Sequence, residues 1–421
     1  MDLSTALFSP ETASDPYPLL ARVRSEAPVA RLERFGWWAV SRYVDVAAAL
    51  KRPDLFSSDT GLERLRPPQI DAETWAEITM IRGRSMVNAD PPAHTRLRKL
   101  ISAAFTPRAM QRLEARVQEI AGRLIDAIVA RDSFDVVADL AIPLPVTVIA
   151  EMLGIDPGRG ADFKRWSDDL LELGRLTRER RMPSEELDRL IASRRELVAY
   201  LEATIAARRE RPRDDLISEL ARAEDEEGRL TAEEALGMMI LLLVAGNETT
   251  THLIGTGTHL LLERPEAFAA LRAEPSLVPN FLEEVLRFEG PATMLFRRTT
   301  AEVTLSGVTI PADALVVLLI AAADRDPEQF PDPDRFDVTR DTRGHLGFGQ
   351  GIHFCVGAPL SRLEGRIAFG ELLRRLPPFS RVDARADWTH HTSLRGLRSL
   401  RVRFDRPGAT AGARGDMLRA P

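Results

Sequence analysis

The chain has 421 residues, of which 44% are hydrophobic and 29% charged, the composition of a folded rather than a disordered protein. A formal net charge of −6 gives no general attraction to nucleic acid or to an acidic membrane surface. A single cysteine excludes an internal disulfide and fits a reducing compartment.

The opening Met1-Asp-Leu-Ser-Thr lacks the basic and apolar parts of a signal peptide. The longest apolar runs, near residues 235–245 and 314–323, fall short of the roughly 20 residues that cross a bilayer. A cytoplasmic protein large enough to bury a cofactor is expected. Domains of about 150 residues would divide the chain into about three. No linker-like stretch supports that division, so one domain over residues 1–405 is expected. The Gly-, Ala-, Arg- and Pro-containing tail, 406–421, is expected to lie outside the fold.

Strand signals are short. Residues 29–32 and 37–41 flank a Phe35-Gly36 turn; 303–305 and 308–310 flank Ser306-Gly307; a further hint covers 399–404. Helical patterns dominate the rest. After Pro107, Leu113, Val117, Ile120, Leu124 and Ile128 recur three or four apart and mark one buried face. A similar pattern with a charged outer face covers 189–211. Two segments, 59–87 and 175–186, mix Pro, Gly and charge without a clear period and read as loops, either plain surface or a lid over a pocket. The whole reads as mainly α with small antiparallel β-sheets.

A long helix begins at Thr231, whose capping box is completed by Glu234, and meets no proline until Pro265. At 1.5 Å per residue it spans roughly 45–50 Å. Its first half is apolar on every side and therefore buried. Gly246-Asn-Glu-Thr-Thr-Thr follows, although a glycine and a carboxylate both cost stability in a buried helix. The segment is either a satisfied polar patch, with hydroxyls bonded one turn back, or a groove for a small ligand with an acid and an alcohol to manage protons.

Phe348-Gly-Gln-Gly-Ile-His-Phe-Cys-Val-Gly357 has glycines that let the backbone turn tightly and approach a flat ligand. A helical pattern follows, so Cys355 stands at a helix start, where free N–H groups favour a thiolate. Alone, such a cysteine is usually a small buried hydrophobe.

This loop resembles the haem loop of the cytochromes P-450, the haem-thiolate monooxygenases, in particular the soluble bacterial class. Its pattern Phe-Gly-x-Gly-x-His-x-Cys-x-Gly is matched at every fixed position. The resemblance runs from about Asp15 to Phe404. Ala245-Gly-Asn-Glu-Thr resembles the oxygen-binding segment, and Glu284-Val-Leu-Arg287 the Glu-x-x-Arg signature, which the family completes with an arginine expected here at Arg335. Departures are few: Gln350 for the commoner histidine, Gly347 for alanine, and Asp324 where Asn or His is frequent.

The resemblance implies a triangular, helix-rich single domain and haem b (iron protoporphyrin IX) with Cys355 as iron ligand. Propionate partners are expected at His94, Arg98, Arg297 and His353, with Phe348, Gly349 and Ala245 against the macrocycle. Glu248 and Thr249 are expected to deliver protons during insertion of one atom of O2 into a hydrophobic substrate. Leu241, Val244, Ala245, Thr293, Met294 and Leu394 are placed on the distal side; they carry no charge and are compatible with fatty acids, terpenoids, steroids or macrolide intermediates. Electrons must come from outside, since no flavin or iron–sulfur motif is present; ferredoxin and ferredoxin reductase are expected, docking near Cys355. Arg108, Arg112 and Arg362 suit either that docking or plain surface charge. A monomer is expected, with no nucleic-acid or membrane partner. Peroxygenase or isomerase chemistry on the same fold, and a haem sensor or carrier, are the alternatives. The acid–alcohol pair argues against the peroxygenase and would have no task in a sensor.

Overall fold

The computed structural model describes residues 3–61, 66–67, 70–83, 85–179, 182–225, 230–389 and 393–405. The expected tail, 406–421, lies outside them.

The long helix is Ala232–Glu263, capped as its sequence predicts: the Glu234 N–H donates to Thr231 Oγ1, and the Glu234 carboxylate accepts from the Thr231 N–H. It runs through the largest apolar core and packs on Pro143–Leu153, Val278–Glu289 and Ala358–Arg375. Its glycines answer to that packing. A Cβ on Gly246 would lie 3.1 Å from Ile149, and one on Gly257 2.7 Å from the Phe369 ring. Thr251 bonds the Ala141 carbonyl at 2.9 Å, and Thr250 bonds Ser361 Oγ at 3.2 Å. Much of the polar run is therefore satisfied inside the core.

Pro107–Val129 is a helix whose Thr106 cap accepts from the Ala109 N–H at 3.3 Å. The predicted face is turned inward: Val117, Ile120 and Ile128 are buried, and Leu113 and Leu124 pack against the same core. It lies along Ala358–Arg375, the helix that follows the cysteine.

A five-stranded sheet runs in the order Val29–Leu32, Trp37–Val40, Leu315–Leu318, Leu295–Thr299, Phe56–Ser57. Its pairings are antiparallel except that of Trp37–Val40 with Leu315–Leu318, which is parallel. Val303–Leu305 and Val308–Ile310 form the predicted hairpin, and positive φ at Ser306 (44°) and Gly307 (78°) matches the twist of the strands. The last strand, Arg401–Phe404, pairs with Ser133–Asp135 and Phe379–Arg381.

Three expectations need correction. Segment 59–87 is not all loop: Ala72–Gly83 is a helix, missed because its apolar residues show no single face. In segment 175–186, the preceding helix continues to Glu179 and the next begins at Ser184; residues 180–181 lie outside those described. The second arginine at the Glu284–Arg287 pair is Arg340, not Arg335. Glu284 and Arg287 are fully buried and joined by bonds of 2.7 and 2.8 Å, and Arg340 Nε reaches Glu284 Oε1 at 3.3 Å. Arg335 contributes its carbonyl, which accepts from Arg340 Nη2 at 2.9 Å, while its side chain points outward beside Asp337. The turn at Asp332 (φ 48°) offers carbonyls inward, so the guanidinium comes from farther along the chain.

Candidate active site

The loop before Ala358–Arg375 is held by its own backbone. The Gly349 N–H donates to the Leu346 carbonyl at 2.7 Å, and the Cys355 N–H to the Phe348 carbonyl at 2.9 Å. Gly351 requires glycine twice over: its φ is +71°, and a Cβ would run into the Leu50 carbonyl. Cys355 lies two residues before the helix cap Gly357. Burial pushes its thiol above the ordinary range; the N–H groups of Gly357 and Ala358 and the cations Arg98 and Arg362 pull the other way. The loop thus supplies a sulfur that becomes a good anion once a cation faces it.

Four basic groups gather beside the loop. His94 projects from the helix Ala93–Ser102, and its ring centroid is 4.3 Å from that of His353. Arg98, one turn on, donates to the Ile352 carbonyl at 3.4 Å. Arg297 comes from the strand Leu295–Thr299 and is almost fully buried; it bonds the Phe296 carbonyl at 2.8 Å. Ser58 Oγ lies 2.9 Å from His353 Nε2. Burial, then Arg297, His94 and Arg98, hold His353 down at about 3, and burial lowers Arg297 to about 10. The carboxylate nearest Arg297, Asp90, is itself bonded to Ser57 and to the Ser58 N–H. His94 Nε2 is buried and has no hydrogen-bond partner among the described residues. Such a cluster suits a ligand that brings carboxylates of its own. Two propionates fit it, and a flat macrocycle fits the long helix, where Ala245 is exposed in the middle of a buried stretch.

Adjacent residues of that helix face different ways. Thr249 is partly exposed on the side of Ala245 and donates to the Ala245 carbonyl at 2.9 Å, the one-turn bond foreseen for a plain polar patch. Glu248 is buried and turned toward the helix Gly160–Glu179. Lys164 Nζ stands 3.1 Å from Glu248 Oε1 and also bonds Asp168; His252 Nε2 lies 3.9 Å from Glu248 Oε2. Burial lowers the proton affinity of Lys164, but Glu248 and Asp168 outweigh it and leave it raised. Burial raises Asp168, Lys164 opposes, and Glu248 reinforces the rise. The Asp168 side chain is half exposed, so Lys164 links the buried Glu248 to a carboxyl group at the surface.

A cavity of ≈ 400 Å³ adjoins these groups. Ala245 lies outside its lining, while Leu241, Val244, Met294 and Leu394 line it. Thr293 does not. Along an extended segment alternate side chains face opposite ways, so Ala292 and Met294 meet the cavity while Thr293 turns to a small pocket by Leu319 and Arg395. The lining is also not free of charge, because Arg297 and Arg194 both belong to it. Arg108 and Arg112 are exposed on Pro107–Val129. Arg362 is tied to Glu283 by bonds of 2.7 and 2.8 Å and lies over the Phe348 ring.

The sequence profile of the family Cytochrome P-450 matches residues 162–379. The cytochrome P-450 monooxygenase PikC of Streptomyces venezuelae is 41% identical over 424 residues, covering 98% of this chain and 96% of that one. The chain belongs to the cytochrome P-450 family. Its fold is the P-450 fold: a structure from Chondromyces apiculatus superposes with a TM-score of 0.83 at 42% identity, covering 94% of this chain and 97% of the other. A myxobacterial P-450 solved in complex with myristic acid gives 0.85 at 39% identity, covering 96% and 99%. The protein is a haem-dependent P-450 monooxygenase, an oxidoreductase. Among the described residues, no helix is long and apolar enough to cross a membrane.

Proposed function

We propose that Cys355, as thiolate, would hold the iron of a haem b, and that His94, Arg98, Arg297 and His353 would hold its propionates. Phe348, Gly349 and Ala245 would lie against the macrocycle. The reading rests above all on one observation: a half-buried sulfur faced by two helix-start N–H groups, beside four converging basic side chains, with His94 Nε2 lacking a hydrogen-bond partner among the described residues. When bound, the haem supplies dioxygen activation and transfer of one oxygen atom to a C–H or C=C bond. The chain binds and orients the substrate in the cavity lined by Leu241, Val244, Met294 and Leu394, and excludes water from it. Glu248, held by Lys164 beside the half-exposed Asp168, and the Thr249 hydroxyl on the side of Ala245 are the groups that serve proton delivery.

The substrate is a lipophilic molecule of the size of a fatty acid, steroid or macrolide; related proteins are a 6-deoxyerythronolide B hydroxylase and a P-450 solved with testosterone. Electrons arrive from a ferredoxin and its reductase at the face around Cys355, where Arg108 and Arg112 are free to meet an acidic partner and Arg362 adds charge in spite of its bond to Glu283. Residues 1–405 work as one domain, a monomer in the cytoplasm. The test is the difference spectrum of the reduced carbon-monoxide complex. The thiolate band is expected in the native protein and is lost in Cys355→Ser and Cys355→His; a native protein without that band overturns the reading.

A further inference from the structure

Arg194 belongs to the helix Ser184–Glu210 and contributes to the wall of the substrate cavity, yet its side chain is only 3% exposed. Its Nη1 donates to Glu77 Oε1 at 2.9 Å. Its Nε and Nη2 are buried and find no acceptor among the described residues. Those two nitrogens form the edge of the guanidinium that grips a carboxylate side-on. Other arginines of this protein use that edge in this way: Arg195 holds Glu77 at 2.9 and 2.8 Å, and Arg362 holds Glu283 at 2.7 and 2.8 Å. On Arg194 the same edge is left over.

The charges around it do not balance. Glu77 is one carboxylate shared between two guanidiniums, those of Arg194 and Arg195. Among the described residues no Asp or Glu lines the cavity, and the other cation in its lining, Arg297, is already assigned to the basic cluster beside the cysteine loop. A buried guanidinium with open donors is costly to hold, so its place in a binding wall asks for an acceptor that arrives with the ligand. The walls beside it, with Ile78, Leu170, Leu173, Ile240 and Leu241, are apolar. The complement of such a cavity is an apolar body ending in an oxyanion.

We infer that the substrate is a lipophilic carboxylic acid, bound at its carboxylate by the Nε–Nη2 edge of Arg194. The inference rests on the monooxygenase reading and narrows it: an acid anchored at this wall presents its apolar part, not its carboxyl carbon, to the oxidising centre.

The test is a calorimetric titration of the holoenzyme with two acids, myristic acid and a bile acid, each beside its own methyl ester. In the native protein at least one acid is expected to bind ~10- to 100-fold tighter than its ester, the range of a charge-assisted pair. Arg194→Met is expected to bring acid and ester within about twofold of each other, by weakening the acid and leaving the ester unchanged. Glu77→Gln, which keeps Arg194 and removes its competitor, is expected to tighten the acid further; it tests the anchor even should Arg194→Met fold poorly. No preference for either acid in the native protein, or a preference that survives in Arg194→Met, overturns the inference. The carbon-monoxide spectrum of each variant separates the two claims, since a normal thiolate band without acid preference sinks the anchor alone.

Discussion

Lys164 holds the buried carboxylate of Glu248 from across a helix–helix contact, with Nζ 3.1 Å from Oε1, and bonds the half-exposed Asp168 with the same ammonium. The pair is partly solvated on the lysine side, where 23% of the side chain is exposed. Lys164→Met should destabilise the holoenzyme by about 2 kcal/mol, less than a fully buried pair loses. Lys164→Met combined with Glu248→Gln should recover most of that loss, because no unpaired charge is left inside. Urea unfolding of the four proteins of the cycle measures it, and additive losses would show that the pair is not coupled.

Thr249 is the partly exposed hydroxyl on the side of Ala245. Thr249→Ala should leave substrate binding within about twofold and uncouple the enzyme, so that oxygen is consumed but hydrogen peroxide accumulates in place of product. Simultaneous measurement of oxygen, peroxide and product checks it; unchanged coupling would remove Thr249 from proton delivery.

Arg340 and Arg335 should behave oppositely. Arg340→Ala removes a guanidinium from the fully buried Glu284 and should cost about 2–3 kcal/mol. Arg335→Ala trims an exposed side chain, leaves its carbonyl in place, and should stay within about 0.5 kcal/mol. Equal losses in thermal unfolding would contradict the assignment of Arg340.

Gly351→Ala meets both a positive φ and the Leu50 carbonyl, whereas Gly349→Ala meets only a positive φ, with no atom nearer than 3.7 Å. The second should cost about 1–2 kcal/mol. The first should cost more and speed haem loss, read as transfer of haem to apomyoglobin.

Glu364 is fully buried, and burial raises its carboxyl from 4.5 to about 8, opposed only in part by the Thr250 hydroxyl. The unfolded chain therefore releases this proton near 4.5 and the folded chain near 8. Between those values the folded state binds more protons, so stability falls as pH rises and the full penalty stands above about 8. Glu364→Gln should flatten this slope and be more stable than the native protein at alkaline pH, by on the order of a few kcal/mol. Melting curves from pH 5 upward check it; parallel curves would sink the assignment.

The parts legible in the sequence are those written locally. The Thr231–Glu234 cap, the Ser306-Gly307 turn and the glycines around Cys355 act over a few residues, and the pattern shows them directly. What escaped depends on chain brought from far away. Lys164 meets Glu248 across 84 positions, and Arg194 meets Glu77 across 117. Both cations sit in helices so rich in charge that neither stands out from a solvated face. Arg340 was missed because the fold takes a carbonyl from the Pro-Asp-Arg-Phe turn and a guanidinium from beyond it. Thr293 was misplaced because neighbours in an extended segment share a location but not a direction.

Gly246 presses so closely on Ile149 that the long helix has little room to shift or to accept bulk there. Other parts of the cavity wall come from Ala72–Gly83 and Ser184–Glu210, through residues such as Ile78 and Arg194. The cavity wall thus joins a tightly packed helix that carries the acid–alcohol pair to two segments that shape the space for the substrate. Grafting those two segments from a relative of different diet should transplant its menu while leaving the oxidative engine intact.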